Sequence, residues 1–132
     1  MDMQKIHEDE RGSIHVITGF EDTPEVTLFY TKEGYARGGC IHKDSDEHCV
    51  VIEGLILYRI GNALHRLHVG QTICIPKGTP HYFIAKSNCV VEEWGATVAE
   101  KKDKHPEFRA IVDGFNVDRR KYETDTPIRS DI

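Results

Sequence analysis

Between residues 13 and 95 the sequence breaks into short runs of β-branched, aliphatic and aromatic residues, with Gly, Pro, Asn or charged clusters between them. Runs of this length with such punctuation read as strands rather than helices. Strands are expected at 13–18 (SIHVIT), 26–31 (VTLFYT), 36–42, 48–53 (HCVVIE), 55–60 (LILYRI), 63–67, 72–75 (TICI), 80–85 and 89–95 (CVVEEWG). Many short strands at this spacing suit an antiparallel sandwich or barrel, an all-β architecture. Gly54 and the pair Gly61-Asn62 fall between apolar runs. Both predict tight hairpin turns that join neighbouring antiparallel strands, where a positive φ is needed.

After Trp94 the pattern changes. The stretch 97–132 is charged and loses its alternation, and its last 33 residues hold eight basic and eight acidic side chains that cancel. One short helix is expected there, around 106–113, with Pro106 in its first turn and Gly114 near its end. The terminal TPIRSDI reads as a frayed or partner-docked end. The chain as a whole, 1–132, is expected to form one domain, with its barrel core at about 8–96.

The net charge of -5 argues against a large nucleic-acid footprint, which needs clustered Lys and Arg. No apolar run reaches the ~18 residues that span a bilayer, and the polar start MDMQKIHEDERG lacks the apolar stretch of a secretory signal. A cytoplasmic location, without membrane or nucleic-acid partners, is the expectation. Cys40, Cys49, Cys74 and Cys89 contain no CxxC pair, so free thiols are expected rather than a zinc knuckle or redox motif.

The chemistry-bearing residues lie in two stretches. In the first, Cys40 and His42 are two apart, so on a strand both side chains leave one face. A polar turn of Lys43 to Asp46 follows, after which Glu47 opens the next strand and can point back at His42. The second, Gly70-Gln-Thr-Ile-Cys-Ile-Pro76-Lys-Gly78-Thr-Pro-His81, reads as a buried strand, a Pro/Gly turn and a further strand that opens with His81. Two histidines and a carboxylate converging from three strands form a facial site for a divalent metal, with positions left open for water or ligand. Cys40 reads as a zinc-favouring thiolate, a weak base or a small buried apolar residue. His48, His65, His68 and His105 read as surface or edge histidines.

These spacings resemble the two motifs of the cupin superfamily. The first, G(X)5HXH(X)3-4E(X)6G, is matched by Gly34, His42, Glu47 and Gly54, with Cys40 in place of the first histidine. The second, G(X)5PXG(X)2H(X)3N, is matched by Gly70, Pro76, Gly78 and His81, with Ala85 in place of the final Asn. A narrower resemblance is to sugar-nucleotide cupins: deoxysugar 3,5-epimerases, 3,4-ketoisomerases and cupin domains of capsular polysaccharide enzymes. Asp9-Glu-Arg-Gly12 is similar to their DxRG-type opening, and Ala36-Arg-Gly-Gly-Cys-Ile-His-Lys43 to the ketoisomerase stretch ARGGHAHK.

The resemblance implies a double-stranded β-helix, or jelly-roll barrel, and an isomerase or epimerase acting on a nucleotide-linked keto sugar in polysaccharide or deoxysugar biosynthesis. Under it His42, with Cys40, carries the proton transfer. Arg37 contacts phosphate or nucleotide; by residue type alone, Tyr35, Tyr58 and Trp94 read either as lining the mouth and stacking on base or sugar or as core packing. His42, Glu47 and His81 hold the metal, which is zinc, nickel, iron or manganese, and no organic cofactor is expected. The partners expected are a nucleotide sugar or sugar phosphate and a second copy of the chain, since a short-stranded barrel has edges that 1–18 can pair across. Two other readings stand beside this one: a metal-dependent cupin enzyme, either a dioxygenase or a sugar-phosphate isomerase, and a non-catalytic small-ligand-binding cupin.

Overall fold

The computed structural model describes residues 2–19 and 25–125, and ten strands form among them. They are β1 (Asp2–Asp9), β2 (Gly12–Thr18), β3 (Val26–Thr31), β4 (Ala36–Cys40), β5 (Glu47–Glu53), β6 (Ile56–Ile60), β7 (Ala63–Leu67), β8 (Thr72–Ile75), β9 (His81–Ala85) and β10 (Cys89–Trp94). A 3₁₀ turn, Glu100–Lys102, and one helix, α1 (Pro106–Asp125), follow. The strands pair in the order β1-β2-β3-β10-β5-β8 in one sheet and β4-β9-β6-β7 in the other, every pair antiparallel. Alternate residues of each strand face inward. Phe29, Val51, Ile56, Tyr58, Phe83 and Val91 thereby fill the space between the sheets.

The expected all-β barrel is present, with three differences. β1 was not among the expected strands, because MDMQKIHED shows no alternation; it forms by pairing with β2 of the same chain, and its residues are almost all exposed. Gly61-Asn62 does join a hairpin, β6 to β7, with Ile60 facing Ala63. Gly54 does not: β5 and β6 lie in different sheets, so this glycine carries the chain across the barrel rather than around a hairpin.

The third difference is the helix, which runs for 20 residues instead of stopping near 113. Gly114 lowers helix propensity by about 1 kcal/mol relative to Ala, yet it sits mid-helix. Packing overrides it. Phe108 and Val112 bury against Ala36 and Tyr82, and the pairs Arg109–Asp113 (3.1 Å) and Arg119–Glu123 (3.4 Å) bridge successive turns. The expectation for TPIRSDI falls on 126–132, outside the described residues. No described helix is long and apolar enough to cross a membrane. The four cysteines are free thiols, and of these only Cys74 is exposed.

The helix does more than bury apolar surface. β4 is the end strand of its sheet, and its outer edge would otherwise present unpaired N–H and C=O groups. Buried Asn116 accepts from the Ala36 amide (2.8 Å) and donates to the Ala36 carbonyl (3.1 Å). Arg109 donates to the Gly38 carbonyl (3.0 Å), and the His105 amide to that of Gly39 (2.8 Å). At Gly39, with φ +79°, a Cβ would come within 2.7 Å of the Arg109 backbone, so only glycine lets the helix start this close.

The Asp9-to-Gly12 stretch is the turn between β1 and β2. Asp9 accepts from the Arg11 amide (2.9 Å) and from two guanidinium nitrogens, Nε and Nη2 (2.9 and 2.7 Å). Burial alone would raise the Asp9 carboxyl, but the Arg11 and His7 hydrogen bonds outweigh it and hold the group well below the usual carboxylate range.

Two outcomes are expected. Asn116→Ala strands two buried backbone groups and should destabilise the fold by about 2 kcal/mol or more; a urea melt superimposable on the parent's would show that α1 is held by apolar packing alone. Asp9→Asn should lower stability at pH 7 by roughly 1 kcal/mol. Because the folded-state affinity of Asp9 for a proton is depressed, its contribution is complete above its ordinary pKa of 3.8 and is lost as pH falls below it. The gap between parent and variant in thermal midpoint should therefore close below pH 4, and a gap constant down to pH 2 would contradict the ion pair.

Candidate metal centre

Two chain reversals at one end of the barrel, β4 to β5 and β8 to β9, place the site. Glu47 opens β5, whose inward set is Glu47, Cys49 and Val51; all three are essentially inaccessible. His42 lies just past the end of β4, and its loop is tied to the β8–β9 turn by the Gly78 amide donating to the His42 carbonyl (2.6 Å) and the Lys77 amide to Asp46 Oδ1 (2.8 Å). His81 opens β9, where it faces Cys40 on one side and Ile60 on the other.

The structure brings His42, Glu47 and His81 together, all buried, with one ligand atom from each lying within 4.8 Å of the others. His42 Nε2 is 3.3 Å from Glu47 Oε2, and His81 Nε2 is 3.7 Å from Glu47 Oε1. Zn–N and Zn–O bonds of about 2.0–2.2 Å set ligand atoms roughly 3.0–3.6 Å apart, so small adjustments seat a metal. His81 Nδ1 lies 2.9 Å from the Thr79 carbonyl, which fixes Nδ1 as the protonated nitrogen and turns the lone pair of Nε2 to the centre. Burial also lowers the His81 pKa, which favours the neutral, ligating form. His42 Nε2 and Glu47 Oε2 are buried and have no hydrogen-bond partner. Orphaned polar atoms of this kind call for an ion or ligand. The donor set therefore fits a divalent metal.

Two residues absent from the sequence expectations complete the centre. Glu93, fully buried on β10, accepts from Tyr58 Oη at 3.3 Å. Burial, and then the charge of Glu47, push the Glu93 carboxyl well above the usual range, so it is protonated and donates to Glu47. Glu47 goes the other way: burial is outweighed by the adjacent His42 ring and the Lys101 charge, which keep it ionised. Lys101 places Nζ 3.4 Å from Glu47 Oε2.

A cavity of about 220 Å³ adjoins the triad. Its wall includes six cationic side chains, Arg11, Arg37, Lys101, Lys102, Lys104 and Arg109, against two acidic ones, Glu47 and Glu93. Arg37 is 3% exposed; Nε donates to Thr31 Oγ1 (2.8 Å) and Nη2 to the Tyr30 carbonyl (3.2 Å), while Nη1 is buried without a partner. Burial lowers its pKa only to about 10, so it remains a cation. Thr27 Oγ1, on the same wall, is also unpartnered.

Three expected site residues are placed differently. Cys40 borders the cavity but is outside the metal cluster: its thiol donates to the Lys101 carbonyl (3.3 Å), and burial raises its pKa, which favours the thiol form. Tyr35 is wholly buried beneath the end of α1, where its hydroxyl donates to Glu123 (2.6 Å), and it does not reach the cavity. Trp94 stacks on His48 (5.6 Å, 23°) on the outer face of the sheet, because β10 turns Val91 and Glu93 inward and so its neighbour outward. Of the aromatic residues expected at the mouth, Tyr58 does line the cavity. Alternation from Val91 marks Glu93 as inward; its neighbour Glu92 disguised it as part of a solvated acidic pair. Lys101 sits in a stretch without periodicity and carried no signal.

Comparison with solved structures gives the same architecture. The capsular polysaccharide assembling protein CapF of Staphylococcus aureus superimposes with a TM-score of 0.62 at 19% identity, over 74% of this chain and 30% of that one. This chain therefore spans less than a third of CapF. KdgF from Halomonas sp. matches with a TM-score of 0.62 at 14% identity, covering 71% of this chain and 86% of that one. A cupin-2 domain containing protein from Shewanella frigidimarina matches with a TM-score of 0.55 at 26% identity, over 65% and 81% of the two chains. No significant match to a curated protein is found. Residues 30–93, from the end of β3 through Glu93, match the Cupin_2 family model, described as a cupin domain. Residues 30–93 are thus similar to a cupin domain, and the chain shares the mostly β fold of these structures, two antiparallel sheets followed by a C-terminal helix.

Proposed function

We propose that this protein catalyses an isomerase- or epimerase-type proton transfer beside the carbonyl of an anionic keto sugar, the sugar end of a nucleotide sugar being the favoured substrate. One observation carries the reading: a single cavity joins the buried His42, Glu47 and His81 cluster to a wall of six cations. A substrate that offers a carbonyl to the first and phosphate to the second satisfies both. The cavity, at about 220 Å³, suits a sugar ring, so a nucleotide would extend beyond it. The narrower sequence resemblance and the likeness to CapF, a capsular polysaccharide assembling protein, support a sugar substrate.

A divalent metal held by His42, Glu47 and His81 supplies a Lewis acid toward a carbonyl oxygen. The chain's own groups do the rest. Arg37 Nη1 and Thr27 Oγ1, both buried and unpartnered, bind and orient the anionic part of the substrate. Glu93 and Tyr58 face the cavity as a hydrogen-bonded, proton-bearing pair that can deliver a proton to the ring. Phe29 and Phe83 keep water from the inner wall. In the metal-free protein His42 is instead the base.

Two histidines and one carboxylate also suit iron(II), so a dioxygenase is the second reading. Oxygen uptake with iron loaded separates it from proton transfer.

Elemental analysis of protein purified without chelators should show about one divalent metal per chain, and His81→Ala should abolish it, since two remaining ligands hold metal weakly. Less than a tenth of an equivalent under saturating zinc, nickel, iron and manganese would contradict the metal reading. Incubation with 4-keto-6-deoxy nucleotide sugars in deuterated water should place deuterium beside the carbonyl. His42→Ala should slow that exchange by about 10²-fold or more, whereas Arg37→Met should act mainly on KM. Binding without exchange would identify a sensor and overturn the enzymatic reading.

A further inference from the structure

The stretch 97–105 crosses the open end of the barrel and is fastened on both sides of the site. Val98 donates its amide to Glu25 (2.7 Å), Ile41 donates to the Asp103 carbonyl (3.0 Å) and His105 to the Gly39 carbonyl (2.8 Å). Thr97 and Glu100 bond reciprocally at the start of the 3₁₀ turn, the Thr97 amide donating to Glu100 Oε2 (2.9 Å) and the Glu100 amide to Thr97 Oγ1 (3.3 Å). That turn carries the Lys101 side chain to the buried carboxyls.

Lys101 Nζ comes to rest 3.4 Å from Glu47 Oε2 and 3.9 Å from Glu93 Oε1, and stands 5.0 Å above the centre of the Phe29 ring. The nitrogen is buried and, like Glu47 Oε2, makes no well-formed hydrogen bond. It is thus a cation held by charge and by an aromatic face, at the carboxylate that the metal also needs. A divalent ion among His42, Glu47 and His81 would lie within a few ångströms of this ammonium, in a site that water screens poorly.

We propose that Lys101 is the resident cation of this site and contends with the divalent metal for Glu47, so that metal uptake requires the ammonium to leave the carboxylate. The inference rests on the metal reading above. It gives the strap a function: residues 97–105 deliver a positive charge that sets how tightly the centre holds metal. The carbonyl of Lys101 is meanwhile anchored by the Cys40 thiol and by Lys104 Nζ (3.1 Å), so the backbone stays while the long side chain swings.

The test titrates zinc into the full chain, freed of metal, by calorimetry, and follows the metal-induced rise in thermal midpoint for the parent, Lys101→Met and Lys101→Arg. Removing the charge at similar length should tighten zinc by about tenfold or more, while Lys101→Arg, which keeps it, should stay near the parent. Without metal Lys101→Met should melt below the parent, because Glu47 loses its counter-charge, and zinc should raise its midpoint by more than it raises the parent's. If Lys101→Met does not fold without metal, Lys101→Gln takes its place in the same titration. Equal zinc affinity in parent and uncharged variants would overturn the inference and leave the metal reading intact. Absence of zinc binding in every variant would overturn both.

Discussion

The free edge of β4 governs this structure. A strand that ends a sheet and is nonetheless buried must find partners for its outward N–H and C=O groups, and among the described residues no further strand supplies them. Asn116, Arg109 and the His105 amide do so instead, all from the segment after the barrel. Their requirement explains why a charged tail with no alternation becomes a 20-residue helix, and why glycine stands at position 39. It also explains the site. Once α1 is docked on β4, the residues linking it to β10 must run past the mouth of the barrel, and Lys101 is carried in with them.

The buried charges then form one balanced group. Glu47 is ionised, Glu93 beside it is protonated because burial and the Glu47 charge both oppose a second anion, and Lys101 neutralises the one negative charge that remains. Two carboxyls and an ammonium in such poor contact with water are expensive to bury, and a neutral apolar trio would do as well for stability. A site that keeps them gains a place for a divalent ion, since the ligand atoms of His42 and Glu47 are already desolvated and unpartnered.

The barrel was legible because its signals are local. Alternation over four to seven residues marked nine strands, and the spacing of His42, Glu47 and His81 marked the cluster that the structure assembles. What escaped is non-local. β1 forms only because β2 offers it a partner; the length of α1 depends on Ala36 and Tyr82, some 30 to 70 positions away in sequence. Tyr35 and Trp94 were assigned to the mouth by residue type, whereas the tail covers one and strand parity turns the other outward. Arg37 shows the opposite case, a cation that the resemblance assigns to phosphate or nucleotide and that β4 places on the cavity wall.

Cys40 connects these observations. In the resembling ketoisomerase stretch a histidine stands here, and a ring at this point would reach toward the centre as a further ligand or base. The cysteine side chain is short and neutral, its pKa raised by burial, and it is spent on the Lys101 carbonyl. The position thereby changes from one that acts on the barrel's contents to one that holds the strap over them. Cys40 pairs in register with His81 on one side and bridges to Lys104 on the other, so the strap that carries Lys101 is keyed to the same strand pair that positions a metal ligand. Anchor, cation and ligand are thus set by one short piece of backbone, and a change at Cys40 reaches the centre through Lys101 rather than by direct contact.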